Sequence, residues 1–279
     1  MDSEFIKVTH DGGVGTLTIA RPARFNSLDV QTARDLRKAG LQLARDPAVR
    51  CVVLRGTNGI FCSGADLKYI RAGGDPKDLG YLTPEARATK PGPGAIFKQI
   101  LEYLHSTISE LRRAPKPVIA AVDGVAAAGG MGLAMSCDLV VASERSIFEY
   151  AYFKTALCGA ESSTFFLPKL VGLRRAMDLA FLNPRVTAHE GKELGLVSAV
   201  FSDASFDAEL LTLSRTLAAG PTASYAAAKR LMNEAAGVDR LDFHLDRELE
   251  ALEQSANSAD FSEGLDAFFG KRAPVFSGK

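Results

Sequence analysis

The feature that most constrains the fold is the stretch 117–143, which reads PVIAAVDGVAAAGGMGLAMSCDLVVAS. Its first part, residues 118–122, is short, apolar and β-branched, which predicts a buried strand. Asp123 and Gly124 predict a turn, and residues 126–133 are small and compatible with a helix. A strand that leads into a helix of Ala and Gly leaves the first backbone N–H groups of that helix uncovered. These amides suit an anion; the alternative is that the small residues only allow tight packing against a sheet.

A second loop of small residues lies upstream. Residues 61–67 read FCSGADL and follow the apolar run 51–54, which predicts another buried strand. Two strand ends, each followed by a loop of small residues, can direct two N–H groups at one point. That is the geometry of an oxyanion hole for a thioester or acyl carbonyl.

Three segments carry a family resemblance: FCSGADLKYI, the run from Pro115 to Ser143, and EGLDAFFGKRAPVF near the end of the chain. Their order and content resemble the crotonase superfamily, the enoyl-CoA hydratase/isomerase family, from about residue 14 onward. The resemblance implies an α/β fold with a crotonase-like ββα spiral core in residues 1–200. It also implies a helical C-terminal region, residues 201–279, that makes trimers, often paired into hexamers.

The resemblance also implies where an acyl-CoA thioester binds. The backbone N–H groups of Ala65 and Gly129 match the two oxyanion donors of the family. Lys68 and Lys271 match contacts to CoA, although both are also compatible with solvated surface lysines. The CoA-binding residues implied in this way are Ser63, Ala65, Asp66, Leu67, Lys68, Phe268 and Lys271.

The acid/base residues depart from the hydratase pattern. Hydratases of the family carry two glutamates, and the matching positions here are Gly132 and Tyr152. Adding water across a double bond needs two positioned groups that move protons. A tyrosine, with a pKa near ~10, does not do this at neutral pH without help. The ordinary hydratase mechanism is therefore not expected.

Three other residues are candidates for the chemistry. Glu161 lies one position after the slot in which isomerase and dehalogenase relatives carry a single carboxylate, and Ala160 occupies that slot. His105 coincides with a histidine of aryl-CoA dehalogenase relatives, which also have an aromatic residue where Tyr152 lies. Each has a structural alternative: a residue at a helix start for Glu161, a core histidine for His105 and a pocket wall for Tyr152.

These residues predict an enzyme that moves a double bond next to a thioester, with Glu161 as the base and His105 and Tyr152 assisting. The alternatives are a hydratase that uses Glu161 with His105, an aryl-CoA dehalogenase-like enzyme, and a CoA-binding scaffold without chemistry. The predicted partners are an acyl-CoA thioester and further copies of the chain, as a trimer or hexamer. No cofactor beyond the CoA moiety is expected.

Composition excludes other classes of function. Lys+Arg and Asp+Glu are equal at 33 each, so no global field favours nucleic acid or a membrane surface. No signal segment, zinc motif, G-x-S-x-G motif or nucleotide-binding fingerprint is present. The cysteines are scattered without C-x-x-C spacing, which predicts free thiols in a reducing compartment, most simply the cytoplasm. They are Cys51, Cys62, Cys137 and Cys158, of which Cys158 lies near the candidate site.

The remaining patterns predict the order of elements. Residues 5–9 and 16–19 flank a Gly-rich turn and predict a hairpin. Asn26 and Ser27 predict the N-cap of the following helix. The segment 72–95 is rich in Gly, Pro and charge, which predicts either a lid or acyl-pocket wall or a plain surface loop. Thr187 and Glu190 predict a capping box. Helices are expected at 96–111, 163–170, 173–182, 208–219, 221–236, 241–255 and 260–269.

Overall fold

A computed structural model describes residues 3–79 and 92–279, which contain ten strands and eleven helices. The strands are β1 (Ile6–Asp11), β2 (Val14–Ile19), β3 (Cys51–Gly56), β4 (Ile60–Cys62), β5 (Val118–Val122), β6 (Val125–Ala127), β7 (Leu139–Ser143), β8 (Ile147–Glu149), β9 (Val186–Thr187) and β10 (Ala199–Phe201). The helices are α1 (Val30–Arg45), α2 (Leu67–Ala72), α3 (Pro93–Arg113), α4 (Gly129–Met135), α5 (Ser163–Val171), α6 (Leu173–Phe181), α7 (Ala188–Leu194), α8 (Phe206–Ala219), α9 (Thr222–Ala235), α10 (Leu241–Ala256) and α11 (Ala259–Gly270).

The strands form two sheets, in the orders β1-β2-β3-β5-β7-β10 and β4-β6-β8-β9. The first two strands make the predicted antiparallel hairpin, and β2, β3, β5, β7 and β10 are parallel. Three times in succession a strand of the first sheet continues into a strand of the second, as β3–β4, β5–β6 and β7–β8. This repeated step confirms the predicted ββα spiral. The four helices α8 to α11 that follow the last strand confirm the helical C-terminal region.

The turns between the two sheets stack closely on one another. Gly124, between β5 and β6, has φ +86°, and a Cβ there would overlap the carbonyl oxygen of Gly59 in the turn before it. Only glycine avoids both the left-handed strain and the overlap. Because β4 and β6 pair in parallel, with Cys62 opposite Ala126, the loops that follow these strands become neighbours.

Two local predictions are wrong. Ala126 and Ala127 belong to β6 rather than to the start of a helix, because small residues suit both states and the parallel pairing with β4 and β8 decides between them. The N-cap of α1 is Asp29, whose side chain accepts from the amide of Thr32 at 2.8 Å. Asn26 instead donates from its amide nitrogen to the carbonyl oxygens of Thr57 and Ile60, which ties the loop to β4.

Half of the segment predicted as a lid or pocket wall, residues 80–91, lies outside the described residues. Within the described part, α2 ends at Ala72, and α3 begins at Pro93, three residues earlier than the predicted start at 96. The capping box is present, with the Thr187 hydroxyl accepting from the Glu190 amide and the Glu190 carboxylate accepting from the Thr187 amide. The C-terminal helices begin and end within two residues of their predicted limits.

The C-terminal helices pack on the spiral. Helix α10 lies along α3, which in turn packs on α1, and α11 contacts the turn 152–155. The main core lies between the sheets and these helices, and a smaller one lies between α8 and the outer face of the first sheet. The domain boundary predicted at residue 200 falls inside β10 and stays a prediction. Within the described residues, no helix combines the length and the apolarity that crossing a membrane requires.

Candidate active site

A cavity of about 320 Å³ opens beside the carboxyl ends of β4 and β6. The apolar walls of the cavity come from three residues: Phe97 of α3, Leu252 of α10, and Leu157, which follows the turn 152–155. The predicted site residues that line the cavity are Ser63, Ala65, Asp66, Leu67, Lys68, Tyr152, Glu161 and Phe268. Gly129 is buried next to Ala128, which lines it.

The backbone amides of Ala65 and Gly129 are available at this edge. Ala65 forms a parallel bridge with Leu28 in which the Leu28 amide donates to Gly64 and the Asp66 amide donates to Leu28. The N–H of Ala65 itself therefore points away from Leu28. Gly129 is the first residue of α4, where the amide has no intrahelical acceptor. Within the described residues neither amide donates to a protein acceptor.

The loops that carry the two amides touch through their backbones. A Cβ added to Gly64 would lie 3.1 Å from the nitrogen of Gly129 and 2.9 Å from the Cβ of Ala128. Gly64 has φ +88°, and Ala128 holds a left-handed φ of +47° immediately before the amide of Gly129. This contact brings the two loops together, as an oxyanion hole requires. That the two N–H groups point at one atom, and their role as its donors, stay predictions.

Glu161 lies beside Gly129, which carries one of these amides. A Cβ added to Gly129 would lie 2.7 Å from the carboxyl carbon of Glu161, so the carboxyl group lies directly against the start of α4. Glu161 and Ser162 both adopt left-handed φ values, +49° and +63°, and this local turn carries the side chain inward although it lies one position late. A Cβ on Gly132 would overlap the Glu161 carbonyl oxygen, so the backbone of Glu161 fills the space beside a position where hydratases carry a glutamate.

The carboxyl group of Glu161 is buried at the edge of the cavity. It is 2% exposed, and its Oε2 accepts from the hydroxyl of Tyr152 at 2.5 Å. Burial raises the pKa of Glu161 to about 7, the Tyr152 hydrogen bond opposes that rise, and the charge of Glu248 adds to it. Burial also holds the pKa of Tyr152 well above its ordinary value, so the phenol stays protonated. A carboxyl group with a pKa near neutrality can both accept and return a proton.

Tyr152 is buried and positions the carboxyl group. Its hydroxyl lies 2.9 Å from the carbonyl oxygen of Ala160 as well as 2.5 Å from Glu161 Oε2. The phenol has one proton and therefore donates to one acceptor at a time. When Glu161 is protonated, the carboxylic acid can donate to the phenol oxygen while the phenol donates to Ala160, which satisfies all three groups.

His105 is not brought to the cavity. It opens instead on a separate cleft between α3 and α10, which Glu110 and Asp242 also line. Its Nε2 lies 3.9 Å from Oε2 of Glu248 and has no hydrogen-bond partner within the part of the chain that the structure describes. Burial lowers the pKa of His105 to about 4, so the imidazole is neutral. The helix on which it lies, α3, directs the His105 side chain into this cleft rather than into the cavity.

The predicted CoA-binding residues differ in where their side chains lie relative to the cavity. Asp66 pairs with Arg21 at 2.7 Å and with Arg24, and it caps α2, so its side chain is engaged within the protein. Lys68 is exposed at the mouth of the cavity, and Phe268 is 52% exposed beside it. Lys271, the residue after α11, does not line the cavity.

Cys158 does not line the cavity either, and burial raises the pKa of its thiol. The thiol therefore stays protonated at neutral pH, where it is a weak nucleophile. The other three cysteines are buried and free, as the sequence predicts.

Sequence reasoning missed Glu248, which lies on α10 behind Glu161. The buried positions of this helix are Leu241, Leu245, Glu248, Leu252 and Ala256. A glutamate on an otherwise apolar stripe was the signal that could have found it, because carboxylates are almost never fully buried without partners. It also missed Arg24, a cation at the cavity mouth held by its pairing with Asp66.

The family model described as enoyl-CoA hydratase/isomerase matches residues 9–279. The chain belongs to the enoyl-CoA hydratase/isomerase family. A solved enoyl-CoA hydratase from Mycobacterium avium subsp. paratuberculosis K-10 superimposes with a TM-score of 0.85 at 30% identity, over 99% of this chain and 100% of that one. The crotonase-like fold is thereby established for this enoyl-CoA hydratase/isomerase family member.

The curated relatives of this hydratase/isomerase family protein carry several activities. A 1,2-epoxyphenylacetyl-CoA isomerase from Escherichia coli (strain K12) is 34% identical over 276 residues, covering 99% of each chain. A 4-chlorobenzoyl coenzyme A dehalogenase from an Arthrobacter species is 31% identical over 266 residues, covering 95% of this chain and 91% of the relative. The family is enzymatic and acts on CoA thioesters, but its members run different reactions.

Proposed function

We propose that this protein is an isomerase that moves a carbon–carbon double bond next to the thioester of an acyl-CoA. The observation that carries the proposal is the buried carboxyl group of Glu161, which lies against Gly129 and lines the same cavity as Ala65. Shifting a double bond needs one base that removes a proton and returns it to another carbon. One carboxyl group with a pKa of about 7 suits that task.

The proposed reaction begins when the thioester carbonyl oxygen accepts from the amides of Ala65 and Gly129. The Glu161 carboxylate then removes a proton from the α- or γ-carbon, and the electron pair moves into an enolate whose negative oxygen the amides stabilise. The protonated Glu161 returns the proton at the other carbon, and the double bond is left in its new position. Each such donor typically lowers the barrier by about 3–4 kcal/mol.

Two other reactions receive less support from the geometry. A hydratase needs a second group to handle protons at the water, and His105 lies outside the cavity. A dehalogenase-like reaction needs a carboxylate in the slot that Ala160 occupies, and Ala160 supplies only its carbonyl to Tyr152. A CoA-binding scaffold without chemistry is the remaining alternative. It does not account for the buried carboxyl group of Glu161 beside the amide of Gly129.

We also propose that CoA enters at the mouth formed by Lys68, Arg24 and Phe268, with no cofactor beyond the CoA moiety of the substrate. Ammonium and guanidinium groups bind phosphate directly. Lys271 is kept as a candidate contact to CoA. The assembly is proposed to be a trimer or a pair of trimers, and the compartment is proposed to be the cytoplasm.

The test is the substitution Glu161→Gln, which keeps the shape of the side chain and removes the base. Turnover of 3-enoyl-CoA to 2-enoyl-CoA is expected to fall at least ~100-fold, because a general base contributes about that much or more. Affinity for the acyl-CoA, measured by calorimetry, is expected to stay within about threefold because the amides are untouched. The matched control is Glu144→Gln, an exposed glutamate in the turn after β7.

Full turnover in Glu161→Gln would overturn the assignment of the base. A wild-type protein that binds CoA esters tightly but converts none of a panel of 2-enoyl, 3-enoyl and aryl thioesters would support the scaffold instead. Mass spectrometry separates the remaining outcomes, since hydration adds one water to the product and isomerisation leaves its mass unchanged.

A further inference from the structure

Behind the cavity wall lies the buried carboxylate of Glu248. It is 4% exposed and comes from α10, far along the chain from the strands that form the site. Its Oε2 accepts from the amide of Ser162 at 2.7 Å, and its Oε1 accepts from the amide of Thr164 at 2.9 Å. The hydroxyl of Thr164 donates to the same Oε1. Ser162 directly follows Glu161, so this carboxylate holds the segment that carries the proposed base.

Glu248 fits this place as an anion. Both of its oxygens accept from backbone N–H groups, which can only donate, and hydrogen bonds donated to a carboxylate favour its ionised form. The amides belong to the N-terminal turn of α5, where the helix dipole favours negative charge. Burial raises the pKa of Glu248, and the hydrogen bonds from Thr164 and Ser162 oppose that rise.

This contact also decides between two explanations of Glu161. A carboxylate near a helix start commonly caps the helix. Here the amides at the start of α5 are bound by Glu248. The side chain of Glu161 is therefore free to turn toward Gly129 and Tyr152.

We propose that Glu248 is the positioning residue of the site: it fixes residues 161–164 so that the Glu161 carboxyl group stays against Gly129, and its negative charge makes Glu161 a stronger base. This inference rests on the proposed function, in which Glu161 is the base. Glu248 touches neither the cavity nor the substrate and acts through Glu161 alone.

The other titratable groups around the two carboxyls are neutral at pH 7. The pKa values of the phenols and thiols that face Glu161 are raised by burial, so they stay protonated; they are Tyr150, Tyr152, Cys62 and Cys158. The imidazoles that face Glu248 have pKa values lowered by burial; they are His105 at 3.9 Å and His244 at 3.8 Å. Within the described residues, Glu248 is the group whose charge raises the pKa of Glu161.

The test reads the protonation of Glu161 directly. Protein labelled with carboxyl-¹³C glutamate is titrated by NMR, and the resonance of Glu161 is identified by its absence from Glu161→Gln. Glu248→Gln removes the charge of this side chain but keeps its shape. The titration midpoint of the Glu161 carboxyl group is then expected to move to lower pH by roughly one unit, which is the size of shift that a nearby like charge causes. The matched control is Glu250→Gln, which makes the same change on the exposed face of α10 and is expected to leave the midpoint in place.

Thr164→Val gives a second, opposite expectation. It removes the hydroxyl that donates to Glu248 and leaves the carboxylate charge, so that charge is less neutralised. The Glu161 midpoint is then expected to move to higher pH. Valine matches the shape of threonine, so this variant tests the proposal even if Glu248→Gln does not fold. An unchanged or lower midpoint would contradict it.

Activity supplies the readout for positioning. Glu248→Gln is expected to lower kcat at least about tenfold with KM nearly unchanged, and to move the acidic limb of the pH–rate profile to lower pH. An unmoved midpoint in Glu248→Gln, with an inactive Glu161→Gln, would overturn the role of Glu248 and leave the proposed function intact. A lowered midpoint with full turnover in Glu161→Gln would overturn the proposed function instead, because the titration needs no substrate.

Discussion

Glu161 is a buried carboxyl group whose useful property comes from being kept away from water. A carboxylate in water has a pKa too low for it to remove a proton from carbon effectively near pH 7. Burial and the charge of Glu248 raise the pKa of Glu161 from the ordinary 4.5 to about 7. The same burial makes the ionised form costly to the fold, so the proposed catalytic role and stability oppose each other at this residue.

That opposition predicts a pH-dependent gain in stability in Glu161→Gln. Because the folded protein holds the Glu161 proton more tightly than the unfolded chain, its contribution to stability is complete below pH 4.5 and is lost as the pH rises through about 7. The variant cannot ionise there. The free energy of unfolding of the variant minus that of the wild type is expected to grow by about 2–3 kcal/mol between pH 5 and pH 8.

Urea unfolding at several pH values measures this difference. Comparing the two proteins at each pH cancels the titration of carboxyl groups that do not interact with Glu161. A difference that stays constant across the range would show that Glu161 titrates as it does in the unfolded chain, and the carboxyl group would then not be a strengthened base.

At the scale of elements, the site is made by two strand ends that the ββα spiral brings side by side. The stacked turns place β4 next to β6, and the loops after them touch at Gly64 and Ala128. Each loop is anchored independently, one by the bridge from Ala65 to Leu28 and the other by the start of α4. The spacing of the two amides therefore depends on there being no side chain at Gly64.

Gly64→Ala is predicted to impair turnover by moving the loops apart. The added Cβ would meet Ala128 at 2.9 Å, and the residue must also hold φ +88°, which costs an alanine about 1 kcal/mol or more. Turnover is expected to fall at least about tenfold, because a displaced donor no longer faces the oxyanion.

The matched control is Gly12→Ala, in the hairpin between β1 and β2. Its φ is also positive, +53°, but an added Cβ would meet nothing within 4 Å. Denaturant unfolding should show a loss of about 1 kcal/mol in this control, while its rate constants stay at the wild-type values. If both variants lost turnover equally, backbone strain rather than the spacing of the loops would be the cause.

For the whole molecule, the helical C-terminal region completes a site that the spiral begins. Helix α10 supplies Leu252 to the cavity wall and Glu248 to the loop behind it, and α11 supplies Phe268 to the mouth. The same region and its neighbour α6 leave apolar side chains exposed. On α6 these are Leu173, Met177 and Phe181, which lie four residues apart on one face and are 65%, 44% and 67% exposed.

Such a stripe is expected to be covered by another copy of the chain. Sedimentation equilibrium is predicted to give three or six times the 29.8 kDa of the chain. Met177→Lys, within the stripe, is expected to lower the assembled fraction. Asp178→Lys, at the next and solvent-exposed position, serves as its control. A wild-type protein that sediments as a monomer would contradict the proposed assembly.

Much of the fold could be predicted from the sequence, because its signals are local. The hairpin, the buried strands β3 and β5, the capping box at Thr187 and the C-terminal helices follow from periodicity and turn chemistry. The failures occurred where local signals are neutral. Ala126 and Ala127 became part of a strand only through pairing, and Asp29 took the cap because Asn26 was engaged with β4.

The sequence by itself determined the pair of small-residue loops that the two amides occupy, since these depend on glycine, alanine and apolar runs at fixed positions. Through its resemblance to the family it also determined the spiral fold. Only the tertiary structure decided that Glu161 turns inward, that His105 stays outside the cavity and that Glu248 lies behind the base. The physical reason is that the pKa and the direction of a carboxyl group are set by burial, by nearby charge and by hydrogen bonds from segments distant in the chain.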